Sequence, residues 1–558
     1  MELLEQHFDA AFAAPDGIKK LRELILTLAI QGKLVPQDPN DPPASQLLQE
    51  IDAEKKWLVN EGRIKARTLL PEIKSQEMPY ALPQGWEWTQ LYKLAPLSII
   101  DGDWIETKDQ DPSGDIRLIQ LADVGVNEFK DVSDRFINSK VFNRLKCTEL
   151  VQGDILIARL PNPIGRACIF PPLSKRAITA VDIAILRPLN CLDAQYLVHA
   201  INSPFFRLQV ECYGKGATRF RIATGNLKTF LVPIPPLPEQ HRIVAKIDQL
   251  MARCDELEKL CAEREQKRRN VHAAALRQLL DAQTSDSFAN AWQFITQNFG
   301  ELYAVKENVA ELRKAILQLG IMGKLVPQNP NDPPAGQLLK EIEAEKKKLV
   351  KEGKIKAPKP PLAIKQEDVP YRLPNGWEWV RFFVVNIVRS ELVSAKYFPS
   401  ENQIAPDSIG KGDGRLLVHR TVIQSGAIGP NNRFYEGQIL YSKIRPSLNK
   451  VVIAPYNGLC SADMYPIETY VNSEYMLQTM LSEVFVAQVR LVENRIKMPK
   501  LNLESLGQFI IPLPPLSEQR RIVSKTNQLM ALCAKLEQQI NAAAGKQTEL
   551  LNAVMAQV

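Results

Sequence analysis

Residues 25–66 read ILTLAIQGKLVPQDPNDPPASQLLQEIDAEKKWLVNEGRIKA, and residues 316–357 read ILQLGIMGKLVPQNPNDPPAGQLLKEIEAEKKKLVKEGKIKA. A repeat this long dictates architecture before any local reading is made. The offset of 291 also carries Phe8 to Phe299, and YALPQGWEW from Tyr80 onto YRLPNGWEW from Tyr371. A second pair follows, PIPPLPEQHRIVAKIDQLMARCDELEKL from Pro233 and PLPPLSEQRRIVSKTNQLMALCAKLEQQ from Pro512, at an offset of 279. The offsets differ because the stretches between the repeats, about 89–232 and 380–511, differ.

Each of those inserts has the size of a domain. They share almost no overall identity, but GDILIAR at 153–159 has an echo in GQILYSK at 437–443, which sets Arg166 opposite Lys450. One fold with two surfaces is expected. A near-identical frame around divergent inserts does one job twice, while the inserts do related jobs on different objects.

After the proline clusters, Ile243, Ile247, Leu250, Cys254, Leu257 and Cys261 alternate spacings of four and three, as do Ile522, Thr526, Leu529, Cys533, Leu536 and Ile540. That is a coiled-coil seam. Helices are expected over about 238–281 and 517–556, with Pro238 in a first turn and Ser517 as an N-cap. About 40 helical residues span roughly 60 Å. The seam pairs the helices through Ile243, Ile247, Leu250, Leu257, Ile522, Leu529, Leu536 and Ile540; the alternative is an amphipathic helix packed on its own domain. Because the passage from the last helix into 8–34 reproduces the passage from the first into 299–325, the chain ends should meet. Gly62 and Gly353 read as helix stops, followed by basic, proline-containing connectors. The expected division is 1–80 helical region and linker, 81–235 first recognition domain, 236–370 central helical spacer and linker, 371–514 second recognition domain, and 515–558 final helix.

Composition is compatible with several domains and with little else. The 558 residues are too many for one core. With 45% hydrophobic and 24% charged residues, and no apolar run near the roughly 20 residues of a membrane span, the expectation is a soluble protein. The start, MELLEQHFDAAFAAPDG, has acids where a secretory signal needs basic residues, so the cytoplasm is expected. Eight scattered cysteines have no pair at zinc or redox spacing, and five dispersed histidines suggest no metal site. A net charge of +7 permits a polyanionic partner without requiring one.

The tracts VPIPPLPEQHRIVAKID and IPLPPLSEQRRIVSKTN resemble the junction between recognition domain and conserved helix in type I restriction-modification specificity subunits. AIQGKLVPQ and GIMGKLVPQ are similar to that family's other conserved region, and IRLIQLADVG from Ile116, GDILIARLPNPIGRACI from Gly153 and GKGATRFRI from Gly214 are similar to its target-recognition motifs. The resemblance covers essentially the whole chain. It implies an α+β chain with two mixed α/β target-recognition domains separated by long paired helices in a pseudo-two-fold repeat. It also implies a non-catalytic subunit that binds a split double-stranded DNA target, each domain reading a few base pairs and the helices fixing the gap. The implied partners are two methyltransferase subunits, which use S-adenosylmethionine to methylate adenine N6, and restriction subunits that use ATP and Mg; no cofactor belongs to this chain.

Two rival readings, an enzyme and a protein-only scaffold, fit the residues less well. An enzyme is disfavoured: NDPPA at 40–44 and 331–335 offers no aromatic ring on which a flipped base could stack, and GKGDGR at 410–415 lacks a following amphipathic helix, so it reads as a surface loop. A scaffold binding only proteins would have inserts poor in basic loop residues, and these are not. Lys215, Thr218, Arg219 and Arg221 surround glycines suited to close approach of backbone to phosphate. Arg159, Asn162 and Arg166 follow an expected strand; Lys443, Arg445, Asn449 and Lys450 take the related place in the second insert, and Arg495, Lys497 and Lys500 precede its exit. Gln120, and His419 or Arg420, are expected just after short apolar strands, where amide or guanidinium groups pair with base edges.

Overall fold

The computed structural model describes residues 12, 14–62, 64, 73, 78–95, 99–189, 191–214, 220–357, 360–493 and 500–556. The chain divides into two compact units, 1–263 with 544–558, and 264–543.

The first unit begins with two helices, α1 (Gly17–Ile30) and α2 (Ala44–Asn60). The insert then contributes β1 (Glu87–Gln90), β2 (Ile99–Asp101), β3 (Ile116–Ile119), β4 (Phe136–Ile137), α3 (Ser139–Leu145), β5 (Ile155–Ala158), β6 (Ala167–Ile169), β7 (Arg176–Thr179) and β8 (Ile183–Leu186). It closes through α4 (Ala194–Asn202), α5 (Pro204–Tyr213), α6 (Thr224–Thr229) and β9 (Leu231–Ile234), and leads into α7 (Leu237–Asp281). The second unit adds α8 (Ser285–Gln297), α9 (Phe299–Leu302), α10 (Lys306–Ile321) and α11 (Ala335–Lys351). Its insert runs β10 (Glu378–Arg381), α12 (Phe382–Val385), β11 (Asn386–Val388), β12 (Leu392–Ser394), β13 (Gln403–Ile404), α13 (Val422–Ser425), β14 (Pro430–Phe434), β15 (Ile439–Ser442), β16 (Val451–Ile453), β17 (Gly458–Ser461) and β18 (Met464–Thr469). It closes with α14 (Ser473–Leu481), α15 (Glu483–Glu493), α16 (Leu503–Gln508) and β19 (Ile510–Leu513) before α17 (Leu516–Met555).

Each insert enters and leaves through a two-stranded antiparallel ladder. Thr89 faces Val232 across β1 and β9, and Val380 faces Ile511 across β10 and β19. Beyond the ladder, one four-stranded sheet is built the same way twice, β2-β8-β5-β6 and β11-β18-β15-β16. Its centre shows why these short runs are strands. Successive side chains of a strand point to opposite faces, and Ile155 and Ile157 of β5 enter the core under α4 while Leu156 and Ala158 enter a second core. In β15, Ile439 and Tyr441 take one side and Leu440 the other. A second sheet differs between inserts, β4-β3-β7 in the first and β12-β14-β17-β13 in the second, although β3 with β7 and β13 with β17 are parallel in both.

The long helices start and stop where the proline clusters and heptads place them. Pro238 lies in the first turn of α7, but Ser517 falls inside the first turn of α17 instead of capping it, because the helix already begins at Leu516. In the first unit Ile243, Ile247 and Cys254 are buried in the core that holds Ile25, Leu26, Ala29 and Ile30 of α1, with Leu250 partly buried against it. Leu257 is exposed. In the second unit the end of α7 (Ala275, Leu276, Leu279) and α17 (Leu529, Cys533, Leu536, Ile540) share one apolar cluster with α10. Ile522 packs with Ile321 and Trp377. Ala14 clusters with Leu551 and Val554, so the two ends of the described chain meet. The stops are also as expected: α2 and α11 each end two residues before their glycine, Gly62 and Gly353, both at φ +67°.

Candidate nucleic-acid interface

The repeated sequence builds one joint twice. Glu239, buried in the first turn of α7, accepts the Trp86 indole N–H at 3.0 Å and the Gln37 amide at 3.2 Å; Glu518 accepts Trp377 at 2.9 Å and Gln328 at 3.1 Å. Burial raises the pKa of both carboxyls. One turn on, Arg242 holds Asp41 at 2.7 Å and Arg521 holds Asp332 at 2.6 Å. The aspartate of NDPPA is therefore an anchor for the EQ-x-R tract, which agrees with a structural reading of that motif. Tyr196 donates to Pro233 O at 2.8 Å and Tyr475 to Pro512 O at 3.0 Å, tying each insert to the strand that leads into its long helix.

The loops expected to meet DNA sort into two groups. Arg159 is buried, and its guanidinium donates to Asp101 at 2.5 Å, Ile222 O at 3.0 Å and Val181 O at 3.1 Å. Arg166 spends its donors on the carbonyls of Val124 (2.6 Å), Leu121 (2.8 Å), Pro163 (2.9 Å) and Leu160 (3.2 Å). Both guanidiniums hold loops together, which leaves few donors for a phosphate or base. Lys450 repeats the Arg166 contact, donating to Pro406 O, which opens the 3-10 turn after β13 as Leu121 opens the one after β3. Asn449, also expected at DNA, is buried, takes φ +44° at the position of Gly165 (φ +79°), and donates to Met480 O at 2.9 Å. Asparagine tolerates that left-handed conformation better than most residues. The recurrence of these positions in both inserts thus has an internal cause.

Arg420 is likewise engaged, forming a two-point pair with Asp407 at 2.7 and 2.9 Å and a 3.2 Å bond to Gln403. Neither it nor His419 follows a strand; Leu416 makes only an isolated bridge to Ile409. His419 is exposed beside the Tyr456 hydroxyl at 3.3 Å. The topological counterpart of Gln120, which does follow β3 and is half-buried, is Ala405 after β13. Arg221 and Lys500 are equivalent, lying 3.5 Å from Asp182 and 3.3 Å from Asp463, each just before the residue whose N–H donates to the carbonyl of Arg159 or Lys443, just after β5 or β15. Asn162 and Arg445 are exposed on the turn after β5 and β15, and Lys443 lies half-buried over the Tyr465 ring. Lys215, Thr218, Arg219, Arg495 and Lys497 lie outside the described residues. Among the described residues no cluster of His, Cys, Asp and Glu could hold a metal ion.

The family model described as the type I restriction modification DNA specificity domain matches residues 83–265 and 427–544. The EcoAI specificity subunit of Escherichia coli is 34% identical over 563 residues, covering 96% of this chain and 92% of that protein. The chain belongs to the type I restriction-modification specificity subunits. The EcoEI specificity subunit of the same organism is 31% identical over 561 residues, covering 96% and 93%. The crystal structure of the HsdS subunit from Thermoanaerobacter tengcongensis covers 85% of this chain and 97% of its own, at 17% identity and a TM-score of 0.40. A specificity subunit is the non-catalytic, DNA-reading member of its system, and the two inserts are its target-recognition domains. The joint at Glu239 and Glu518 was not anticipated from the sequence, although the duplicated PEQ/SEQ and GWEW tracts were its signal.

Proposed function

We propose that this specificity subunit reads a split, asymmetric double-stranded DNA target, one half-site per recognition domain, and directs two methyltransferase subunits to adenine N6. The observation that carries this reading is a joint built twice with the same partners, around inserts whose second sheets and exposed loops differ. An identical frame suits two copies of one partner, and different inserts suit two different half-sites. The 45-residue α7, about 67 Å long, acts as the spacer that sets the unread gap. S-adenosylmethionine is used by the methyltransferase subunits, ATP and Mg by restriction subunits, and the complex works in the cytoplasm. Asn162, Lys443, Arg445 and His419 contact DNA, together with Lys215, Thr218, Arg219, Arg495 and Lys497. No helix of the described residues is long and apolar enough to cross a membrane.

The test is co-expression with the cognate methyltransferase subunit and sequencing that detects N6-methyladenine. Methylation confined to one bipartite motif, and lost when this chain is omitted, is expected. Methylation without a motif, or the same motif without this chain, would overturn the reading.

A further inference from the structure

The run GKGDGR at 410–415 belongs to neither the joint nor the sheets. It is the tip of a hairpin closed by the Ile409–Leu416 bridge and by Gly410 N–H donating to Arg415 O at 2.9 Å. The first insert has the same hairpin, closed by Val124–Phe129 and by Gly125 N–H to Glu128 O at 2.9 Å. Both hairpins follow the 3-10 turn after β3 or β13. Both are strapped to the segment that follows β5 or β15, Asn127 N–H to Ala167 O at the start of β6 at 3.0 Å and Gly412 N–H to Asn449 O in the turn before β16 at 3.1 Å. Arg166 and Lys450 hold the base of each through Leu121 O and Pro406 O. The mounts are alike and the tips are not. One exposes Lys411 and Arg415, with Arg445 exposed on the turn after β15; the other, two residues shorter, exposes Val126 and Glu128, the latter 3.8 Å from Lys130, with Asn162 exposed on the turn after β5.

The chemistry of the tips is also opposed. Among the described residues, the side chains of Lys411, Arg415 and Arg445 have no hydrogen-bond or ion-pair partner. Asp413 does not neutralise them by contact: its carboxylate accepts the Arg415 backbone N–H at 3.0 Å. Gly412, at φ +64° with open space on its side-chain face, gives the tip a backbone that can approach a surface closely, while Gly414, at φ +71°, rests on Leu477 and Leu481 of α14. Free cations on such a backbone suit phosphate oxygens and the acceptor edge of guanine. An apolar and an acidic side chain suit the thymine methyl and the cytosine amino group.

We propose that these two hairpin tips, each with the exposed residue of its adjoining turn, are the variable reading elements of the two recognition domains, mounted on a fixed base by Arg166 and Lys450. This rests on the DNA-reading function proposed above. The tip at 410–415 supplies the cationic contacts of the second half-site, and the tip at 125–128 reads the first with little electrostatic contribution.

The experiment uses the full chain assembled with its methyltransferase subunits. Lys411→Ala with Arg415→Ala should lower the slope of log affinity against log salt by roughly 1.8, the release expected for two phosphate-type contacts, and alter methylated sites only in the second half-site. Lys525→Ala with Lys535→Ala, the same charge loss on exposed residues of α17, should change neither. Glu128→Gln should alter only the first half-site. An unchanged slope and site map for the Lys411 and Arg415 variant, while methylation still depends on this chain, would overturn the assignment of the tips and leave the DNA-reading function standing. Methylation with no motif in the unaltered complex would overturn both.

Discussion

Replacing Glu239 with alanine should loosen the first joint by a calculable amount. The carboxylate accepts two N–H groups, and the two donors differ in what they can do without it. Gln37 is exposed and can turn to water, whereas the Trp86 indole is buried and keeps an unpaired donor, which costs about 1–3 kcal/mol. Burial of the carboxyl itself opposes folding when it is charged, as its raised pKa shows, so its removal returns part of that cost. The net expectation is a loss of about 1–2 kcal/mol, and the same for Glu518→Ala because the second joint has the same donor types at distances only 0.1 Å shorter. The pH dependence separates the two effects. With a folded pKa above the unfolded value near 4.5, the carboxyl's stabilising contribution is fully present below 4.5 and is lost as pH rises through the folded value. Glu239→Gln should therefore abolish that slope while keeping an acceptor. Urea unfolding followed by circular dichroism, with hydrogen exchange at 80–90 and 371–381 to assign the loss to one unit, measures all three variants. Alanine variants with the midpoint of the parent, or a loss at one joint without its counterpart at the other, would refute the reasoning.

Other outcomes follow from the same contacts. His199, buried in α4 with its Nε2 3.9 Å from Asp248, is pushed down to about 4 by burial. The folded chain should lose up to about 3 kcal/mol as pH falls from 6.5 to 4, since only the unfolded form takes the proton. His199→Gln with Asp248→Asn, the pair that Gln478 and Asn527 form at 3.4 Å in the second unit, should remove that acid sensitivity; a parent-like pH profile in the double variant would contradict this. Inserting four residues after Arg264 lengthens α7 by about 6 Å and should widen the unread gap by one to two base pairs with the half-sites unchanged, whereas altered bases at an unaltered gap would count against a spacer role. The purified chain with S-adenosylmethionine and duplex DNA should transfer no methyl group, and labelled product would contradict a non-catalytic subunit.

What could be read without coordinates was whatever the chain states locally. Heptad spacing and proline clusters place α7 and α17 to within a residue, because a helix's face and ends are written in consecutive residues. The ends of the chain meet at Ala14, Leu551 and Val554, as the cyclic order of the repeats requires. The roles of the basic loop residues were not legible. Arg166 looks like a free cation in sequence, and only the fold brings Leu121 and Val124, more than 40 residues away, under its guanidinium. Arg159 is taken up by Asp101 and Ile222 in the same way. Conversely, GKGDGR looked like an ordinary surface loop because the turn it rests on, around Asn449, is remote in sequence.

Exchanging one recognition insert tests most directly whether one frame presents two independent readers. The ladders mark the cuts: Thr89 with Val232, and Val380 with Ile511, are facing pairs at equivalent places. A chain in which residues 380–511 are replaced by a second copy of 89–232 should still assemble with the methyltransferase subunits. Its methylated motif, mapped by sequencing, should become an interrupted palindrome of the first half-site with the original gap. An assembled complex that still methylates the original asymmetric motif would contradict the account.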